Sequence, residues 1–262
     1  MFGKKNKERA EREDGLTDYN VYVMGRTEKI LNILLAAMVL FAVGYIFYHK
    51  IILSALLMFF ALKWPKIRTR QIIEKRKSQL TIQFKDMLYS LSSALSVGKS
   101  VETGIRDALL DLRVIYPDPE TDILVELQYI LRGIGMNNTI ESMFSQFAER
   151  AHLEDIENFV DIFVTCKRTG GDLMEVMRST SNTIGEKIEI KQEIETMISG
   201  KKFEFQFMMV LPILMVLFLT VTSGEYMDPV FTTIQGNVAM TVAILIFGLS
   251  YLVGSRLMKI NV

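Results

Sequence analysis

The residues Gly98, Lys99 and Ser100 form the last part of a phosphate-binding loop, GxxxxGK[ST], which makes them a candidate for nucleotide chemistry. The pattern requires another glycine five positions before Gly98, where this chain has Ser93. Such a loop also follows a buried strand, whereas the preceding residues here have the spacing of an amphipathic helix. Without a glycine-rich loop, the backbone N–H groups cannot surround a phosphate. We therefore predict a turn between two helices, and no nucleotide binding.

The single cysteine and the two histidines offer little further chemistry. Cys166 has basic neighbours, Lys167 and Arg168, but no histidine nearby in the sequence, so a structural thiol is favoured over a nucleophile. One cysteine excludes a multi-cysteine zinc site, and His49 and His152 are too far apart for a helical histidine pair. The sequence thus offers no candidate catalytic residue, no cofactor site and no candidate metal ligand among Cys and His; binding of a divalent metal by scattered acids stays an open alternative.

Acidic residues are concentrated in the middle of the chain, although the whole chain is neutral, with 30 Lys and Arg against 30 Asp and Glu. Residues 101–160 contain twelve acids and four arginines, a net charge of about −8. Overall neutrality argues against nucleic acid as a partner. The acids are either a solvated face or a docking surface for a basic partner, and they lack the DxDxDG-like loop of a calcium site. The candidate docking residues are Glu102, Asp107, Asp111, Glu154, Asp155 and Glu157.

Two long apolar regions predict membrane-spanning segments, since a spanning helix needs about 20 apolar residues. In the first region, 30–64, we expect a hairpin that turns at His49-Lys50, because one continuous helix would leave Lys50 in the membrane interior. The second region, 207–257, contains two more spans. Lys and Arg flank these regions, while only the acids Glu225 and Asp228 lie between the last two spans. The positive-inside rule then places both termini and the central region in the cytoplasm.

In the central region, 65–206, apolar residues recur at 3.6-residue spacing, which predicts six helices. Their apolar stretches cover 80–95, 101–112, 123–134, 140–151, 156–164 and a last helix that begins at Asp172. Gly98 ends the first helix and Ser100 caps the second. Asn138, with Glu141, caps the fourth. Gly170 and Gly171 end the fifth with positive φ, and Asp172, with Glu175, caps the last.

The predicted fold is therefore an all-α membrane protein with four transmembrane helices in two hairpins and a cytoplasmic six-helix domain. The predicted parts are an arm (1–29), a hairpin (30–64), the helical domain (65–206), a second hairpin (207–257) and a tail (258–262). Gly200 and Pro212 are a candidate hinge, since glycine weakens a helix and proline removes one of its hydrogen bonds. The alternative is that Pro212 is merely tolerated, as in many spanning helices.

Two segments carry a resemblance to a known family. They are FKDMLYSLSSALSVGKSVETGIRDAL, residues 84–109, and FVTCKRTGGDLMEVMRSTSNTI, residues 163–184; Leu211-Pro212 fits as well. The chain, from about Gln79 to Leu257, resembles the F-domain family of inner-membrane platform proteins of type II secretion and type IV pilus machines. The likeness is closest to the Tad/Flp (tight adherence) branch, of the TadB or TadC type. Arg168 replaces a glutamate that is common in the family, so a metal site using that glutamate is not carried over.

The resemblance implies a non-enzymatic platform in the inner membrane. It would couple a cytoplasmic motor ATPase to pilin assembly, with pilins, the ATPase and a second platform subunit or a second copy of itself as partners. The alternative is a small transporter or channel with a cytoplasmic helical domain. Substrate paths usually need ionisable groups inside the membrane, and the predicted spans have almost none.

Overall fold

The computed structural model describes residues 9–11 and 16–257 and forms two compact units. One unit combines the described residues up to Val23 with Thr69–Ile190, and the other combines Met24–Arg68 with the described residues from Lys191 onwards. The predicted tail, 258–262, lies outside the described residues. The elements are β1 (Arg9–Glu11), β2 (Thr17–Tyr22), α1 (Arg26–Tyr48), α2 (Ile51–Met58), a 3₁₀ turn (Phe59–Lys63), α3 (Trp64–Ser96), α4 (Val101–Ile115), α5 (Asp122–Gly135), α6 (Ile140–Ala151), α7 (Glu154–Thr169), α8 (Leu173–Thr222), α9 (Gly224–Thr232) and α10 (Ile234–Leu257).

The first unit is built around a helical core rich in aromatic side chains. Five phenylalanines from α3, α6 and α7 are fully or almost fully buried, and their ring centroids lie 5.2–6.0 Å apart, mostly edge to face. This geometry adds a favourable ring interaction to the burial of large apolar surfaces. The rings are those of Phe84, Phe144, Phe147, Phe159 and Phe163.

Helices α3 to α8 follow the order of the predicted helices, and the predicted caps are mostly confirmed. Ser100 Oγ accepts a hydrogen bond from the Thr103 N–H at 3.3 Å, and Asp172 Oδ1 accepts one from the Glu175 N–H at 3.2 Å. The expectation for Asn138 is wrong by one residue: Thr139 is the N-cap of α6 and accepts from Ser142. A threonine hydroxyl serves this role well, because it satisfies an N–H that has no partner inside the helix.

The predicted all-α fold class is confirmed for the described residues, apart from one short hairpin at the beginning of the chain. Strands β1 and β2 pair in antiparallel fashion, and β2 packs against α6. Thr17 and Tyr19, two residues apart, are both buried, at 7% and 2% exposure. The sequence TDYNVY contains β-branched and aromatic residues that favour a strand. The predicted arm, 1–29, therefore contains a strand that is part of the helical unit, and α1 starts earlier than expected, at Arg26.

The predicted turn at His49-Lys50 is present, but the second span is not confirmed. His49 ends α1 with a left-handed φ of 49°, and α2 returns against α1. However, α2 has only 8 residues, or about 12 Å, before the 3₁₀ turn. A new helix then starts at Trp64-Pro65, because proline fits the first turn of a helix but has no N–H to continue the preceding one.

Three described helices are long and apolar enough to cross a membrane: Arg26–Tyr48, Leu173–Thr222 and Ile234–Leu257. The prediction of four spanning helices is therefore not confirmed. In the second unit, the His49 ring stacks on Phe231 of α9 with centroids 4.4 Å apart. The Tyr48 hydroxyl donates to Thr241 Oγ1 of α10 at 2.9 Å. These contacts join the end of α1 to the last two helices.

Candidate docking surface and a buried polar network

The three candidate docking acids of α4 differ in how freely they can bind a partner. Glu102, in the first turn, is exposed. Asp107 is neutralised by Lys99, whose Nζ lies 2.7 Å from Oδ2, and Asp111 accepts a hydrogen bond from the Ser90 hydroxyl at 2.5 Å. The surface of α4 is therefore less negative than its sequence indicates.

The other three candidates lie together in the first turn of α7. Glu154 and Glu157 are exposed, whereas Asp155 forms an ion pair with Lys187 of α8. This turn has no side-chain cap, so the three negative charges also stabilise the positive end of the helix dipole. Since α4 packs mainly on α5 and α7 mainly on α6, the six acids form two groups on separate helices.

The Gly98-Lys99-Ser100 segment is a turn between α3 and α4. Gly98 has a φ of 80°, the Lys99 amine is occupied by Asp107, and the Ser100 hydroxyl caps α4. The residues before it are helical as far as Ser96. This arrangement agrees with a structural role for all three residues.

The glycines after α7 serve two different purposes. Gly170 is the C-cap of α7 and has a left-handed backbone conformation, with a φ of 73°. Gly171 does not have a positive φ, so the prediction for this residue was wrong. Instead, a β-carbon at position 171 would lie 2.7 Å from the Cys166 sulfur. Close packing against Cys166, and not backbone conformation, therefore disfavours a side chain at this position.

We expect Gly171→Val to lower the free energy of unfolding by about 1 to 3 kcal/mol, because the added side chain overpacks against Cys166. The effect would be measured by urea unfolding of the full-length protein in lipid nanodiscs. Adding Cys166→Ala should relieve part of the loss. Gly135→Ala is the control, since a β-carbon there meets nothing within 4 Å. Equal urea midpoints for Gly171→Val and wild type would contradict the packing explanation.

A buried ion pair lies at the centre of the first unit, between α5 and α6. Glu126 and Arg150 are 0% and 4% exposed, and Arg150 Nη2 and Nε lie 2.5 and 3.2 Å from the two carboxylate oxygens. The Tyr19 hydroxyl of β2 donates to the same carboxylate at 3.0 Å. The guanidinium also lies 5.0 Å from the centroid of the Tyr129 ring. The carboxylate thus has three donors, which offset the loss of water.

A second ion pair extends this network to α3. Arg76 donates to both oxygens of Asp122, at 3.1 and 2.8 Å, and its guanidinium lies 4.8 Å from the centroid of the Tyr19 ring. Lys77, the next residue, donates to the Asn20 side chain at 2.9 Å. Strand β2 is therefore attached to the helices by a buried aromatic residue and by polar contacts on both sides of it.

Burial is the largest cause of the raised pKa values of the two acidic groups of this network, Glu126 and Tyr19. Burial raises the pKa of Glu126, although the hydrogen bonds from Arg150 and Tyr19 oppose that change. Burial and the nearby carboxylates also raise the pKa of Tyr19 well above its ordinary value, so the phenol stays protonated and can donate. This network was not predicted from the sequence, in which Glu126 is one of the twelve acids of residues 101–160. The alternation in TDYNVY was the one available signal.

The two remaining candidate residues are those of the hinge. Gly200 and Pro212 both lie inside the continuous helix α8. Within the described residues, 9–11 and 16–257, no group of three or more His, Cys, Asp or Glu side chains is arranged to hold a metal ion.

Residues 120–221 match the family model described as "Type II secretion system (T2SS), protein F". The match is shorter than half of the chain and covers α5 to α7 and nearly all of α8. It includes the segment 163–184 and Leu211-Pro212, but not the segment 84–109. No curated protein and no solved structure matches the chain.

Residues 120–221 are therefore similar to the type II secretion system F-domain family, and three described helices are long and apolar enough to cross a membrane. This family consists in general of non-catalytic platform proteins of secretion machinery.

Proposed function

We propose that the protein is a non-enzymatic inner-membrane platform of a type II secretion or type IV pilus machine, of the Tad/Flp branch. It couples a cytoplasmic motor ATPase to the assembly of pilin subunits. The observation that carries this proposal is the F-domain match across α5–α8, which ends inside a helix that is apolar enough to span a membrane. The buried polar groups are used in ion pairs and caps, which suits a scaffold.

The proposed motor contact uses the exposed acids of the first unit, Glu102 on α4 and Glu154 and Glu157 on α7. A triple Lys substitution at these positions should weaken ATPase binding about tenfold or more at low salt, since each exposed pair contributes about 0.2–1 kcal/mol and reversal adds repulsion. Binding would be measured with the full-length protein in nanodiscs at 50 and 500 mM salt. The difference between variant and wild type should shrink at high salt.

The matched control for this triple variant reverses three other exposed acids away from α4 and α7, Glu149, Glu193 and Glu195. It changes the net charge equally, so it separates a local contact from general attraction. Equal losses in both triple variants would reduce the candidate residues to a solvated face. Unchanged ATPase binding in both triple variants would contradict docking through exposed acids. The platform proposal itself would then be tested by whether pilin subunits still assemble.

We propose an orientation with the helical unit in the cytoplasm and α9 outside. In a Cys166→Ser background, a membrane-impermeant maleimide should label Glu225→Cys in intact cells with the outer barrier opened. Glu175→Cys should react only after the inner membrane is opened. Both positions are exposed. Labelling of Glu175→Cys but not Glu225→Cys in intact cells would reverse the proposed topology.

Gly200 and Pro212 would allow a displacement of the helical unit to reach the membrane as a bend in α8. Pro212 removes one backbone hydrogen bond of α8, and glycine lowers the helix propensity at position 200. Both features favour local bending of a long helix.

A further inference from the structure

The helical hairpin of the second unit brings basic residues from its two arms to one end. The first arm is α1, and the second is α2 with the 3₁₀ turn, whose Ala61 packs on Ala36 and Ala37 of α1. Lys29 lies about 10 Å before Ala36 along α1, and Lys66 lies about 8 Å beyond Ala61. Because the arms run in opposite directions from the turn at His49, both lysines lie at the open end of the hairpin, at about the same level.

This open end is strongly basic. Apart from Lys50 in the turn, the charged residues of 24–68 all belong to it, and they are five cations and one acid, a net charge of +4. Four of the cations are exposed and form no ion pair with any residue that the structure describes. These four are Arg26, Lys29, Lys63 and Lys66. They are therefore available to an anion from outside the chain.

Exposed apolar side chains lie directly beside these cations. On α1, Leu31, Leu34 and Leu35 are 56–66% exposed, and Trp64, between the two lysines of the other arm, is 46% exposed. Tryptophan is typical of the level at which the hydrocarbon of a membrane meets the lipid headgroups. A surface with free cations at the edge of an apolar band suits a ligand that has an anionic group and apolar chains in one molecule.

We propose that the open end of this hairpin binds anionic phospholipids in preference to neutral ones. The cations contact the headgroup, and the apolar band of α1 contacts the acyl chains. The phosphate of phosphatidylcholine is neutralised by its own choline, whereas phosphatidylglycerol keeps a net negative charge that the cations attract. Free phosphate would cover the cations but not the apolar band. The proposal rests on the membrane placement of α1 in the proposed function, and adds a lipid preference to it.

Trp64 is the single tryptophan of the chain, so its fluorescence reports the lipids next to this site. The full-length protein would be placed in phosphatidylcholine nanodiscs in which about a tenth of the lipid carries bromine near the headgroup end of its chains. The brominated lipid is phosphatidylglycerol in one sample and phosphatidylcholine in the other. Bromine quenches tryptophan on contact. The quenching should show about threefold or more enrichment of phosphatidylglycerol at Trp64, and the enrichment should shrink at high salt.

Charge variants test whether the named cations cause this enrichment. The triple variant Lys29→Gln, Lys63→Gln and Lys66→Gln should bring the ratio of the two quenching values to about one. Arginine at the same three positions should keep the ratio of the wild type, because the charge is kept. Quenching by brominated phosphatidylcholine should be equal in all these proteins, which shows that the hairpin is still inserted.

The matched control removes three positive charges elsewhere, by Lys50→Gln, Lys99→Gln and Lys167→Gln, and should keep the enrichment. Equal quenching by the two brominated lipids in the wild type would overturn the lipid preference and leave the membrane placement intact. Absence of quenching by either lipid would contradict the membrane placement as well. A loss of enrichment in the control as large as in the first triple variant would show a general attraction and overturn the site.

Discussion

Replacing Arg150 with methionine is expected to lower the free energy of unfolding of the helical unit by about 3 to 5 kcal/mol. Methionine fills much of the same volume but cannot donate to Glu126, which is 0% exposed. The carboxylate would keep only the hydrogen bond from the Tyr19 hydroxyl. A buried charge without its partner is among the few changes that produce so large an effect.

The measurement is hydrogen–deuterium exchange of the full-length protein, read in α5 and α6, which carry the two charges. Arg132→Met, an exposed change in α5, is the control and should be nearly neutral. The double variant, Glu126→Leu with Arg150→Met, removes both charges and should recover much of the loss, because a buried ion pair contributes little net stability against an apolar pair. A single variant as stable as the double variant would show that Glu126 is not isolated by the loss of Arg150.

The helix caps and the buried helix faces of this fold could be predicted from the sequence. Ser100 and Asp172 are caps because a short polar side chain just before an apolar period can accept from the first free N–H groups. The apolar residues at 3.6-residue spacing, such as Leu80, Phe84 and Met87, are buried as expected. These features depend on neighbours within one or two helical turns, and therefore the linear pattern contains them.

Features that depend on distant residues could not be read in this way. Glu126 is separated by 24 residues from Arg150 and by 107 from Tyr19, so its charge looked like that of the surface acids around it. Asp155 and Asp107 likewise looked free, but Lys187 and Lys99 neutralise them after folding. Composition gives the net charge of a segment, whereas the docking surface depends on which charges remain unpaired.

The second predicted span is not confirmed, for a different reason. Apolar composition between Ile51 and Trp64 predicts a short crossing, but hydropathy does not record where the helix type changes. The α-helix gives way to a 3₁₀ segment at Phe59, and α3 begins at Trp64, just before Pro65. The break leaves α2 well below the length of a roughly 30 Å hydrocarbon core.

The second large effect is expected at Tyr19, whose side chain ties the beginning of the chain to the helices. Tyr19→Ala should destabilise the helical unit by about 3 to 5 kcal/mol, since it leaves a cavity where an aromatic ring was 2% exposed. Tyr19→Phe keeps the ring and removes only the hydroxyl, so about 1 kcal/mol should be lost. Arg150 still donates to the same Glu126 oxygen at 3.2 Å and limits that smaller loss.

Hydrogen exchange in β2 and in α5 would separate these two contributions. If the ring anchors the strand, Tyr19→Ala should abolish protection in β2 and reduce it in α5, whereas Tyr19→Phe should affect both only slightly. Val21→Ala, at a position 42% exposed in the same strand, is the control. Full protection of β2 in Tyr19→Ala would show that the strand is held without this ring. Only Val23, Met24 and Gly25 separate β2 from α1, so the chain passes between the two units there as well as within α3 and α8, and loss of the strand would free the first of these three connections.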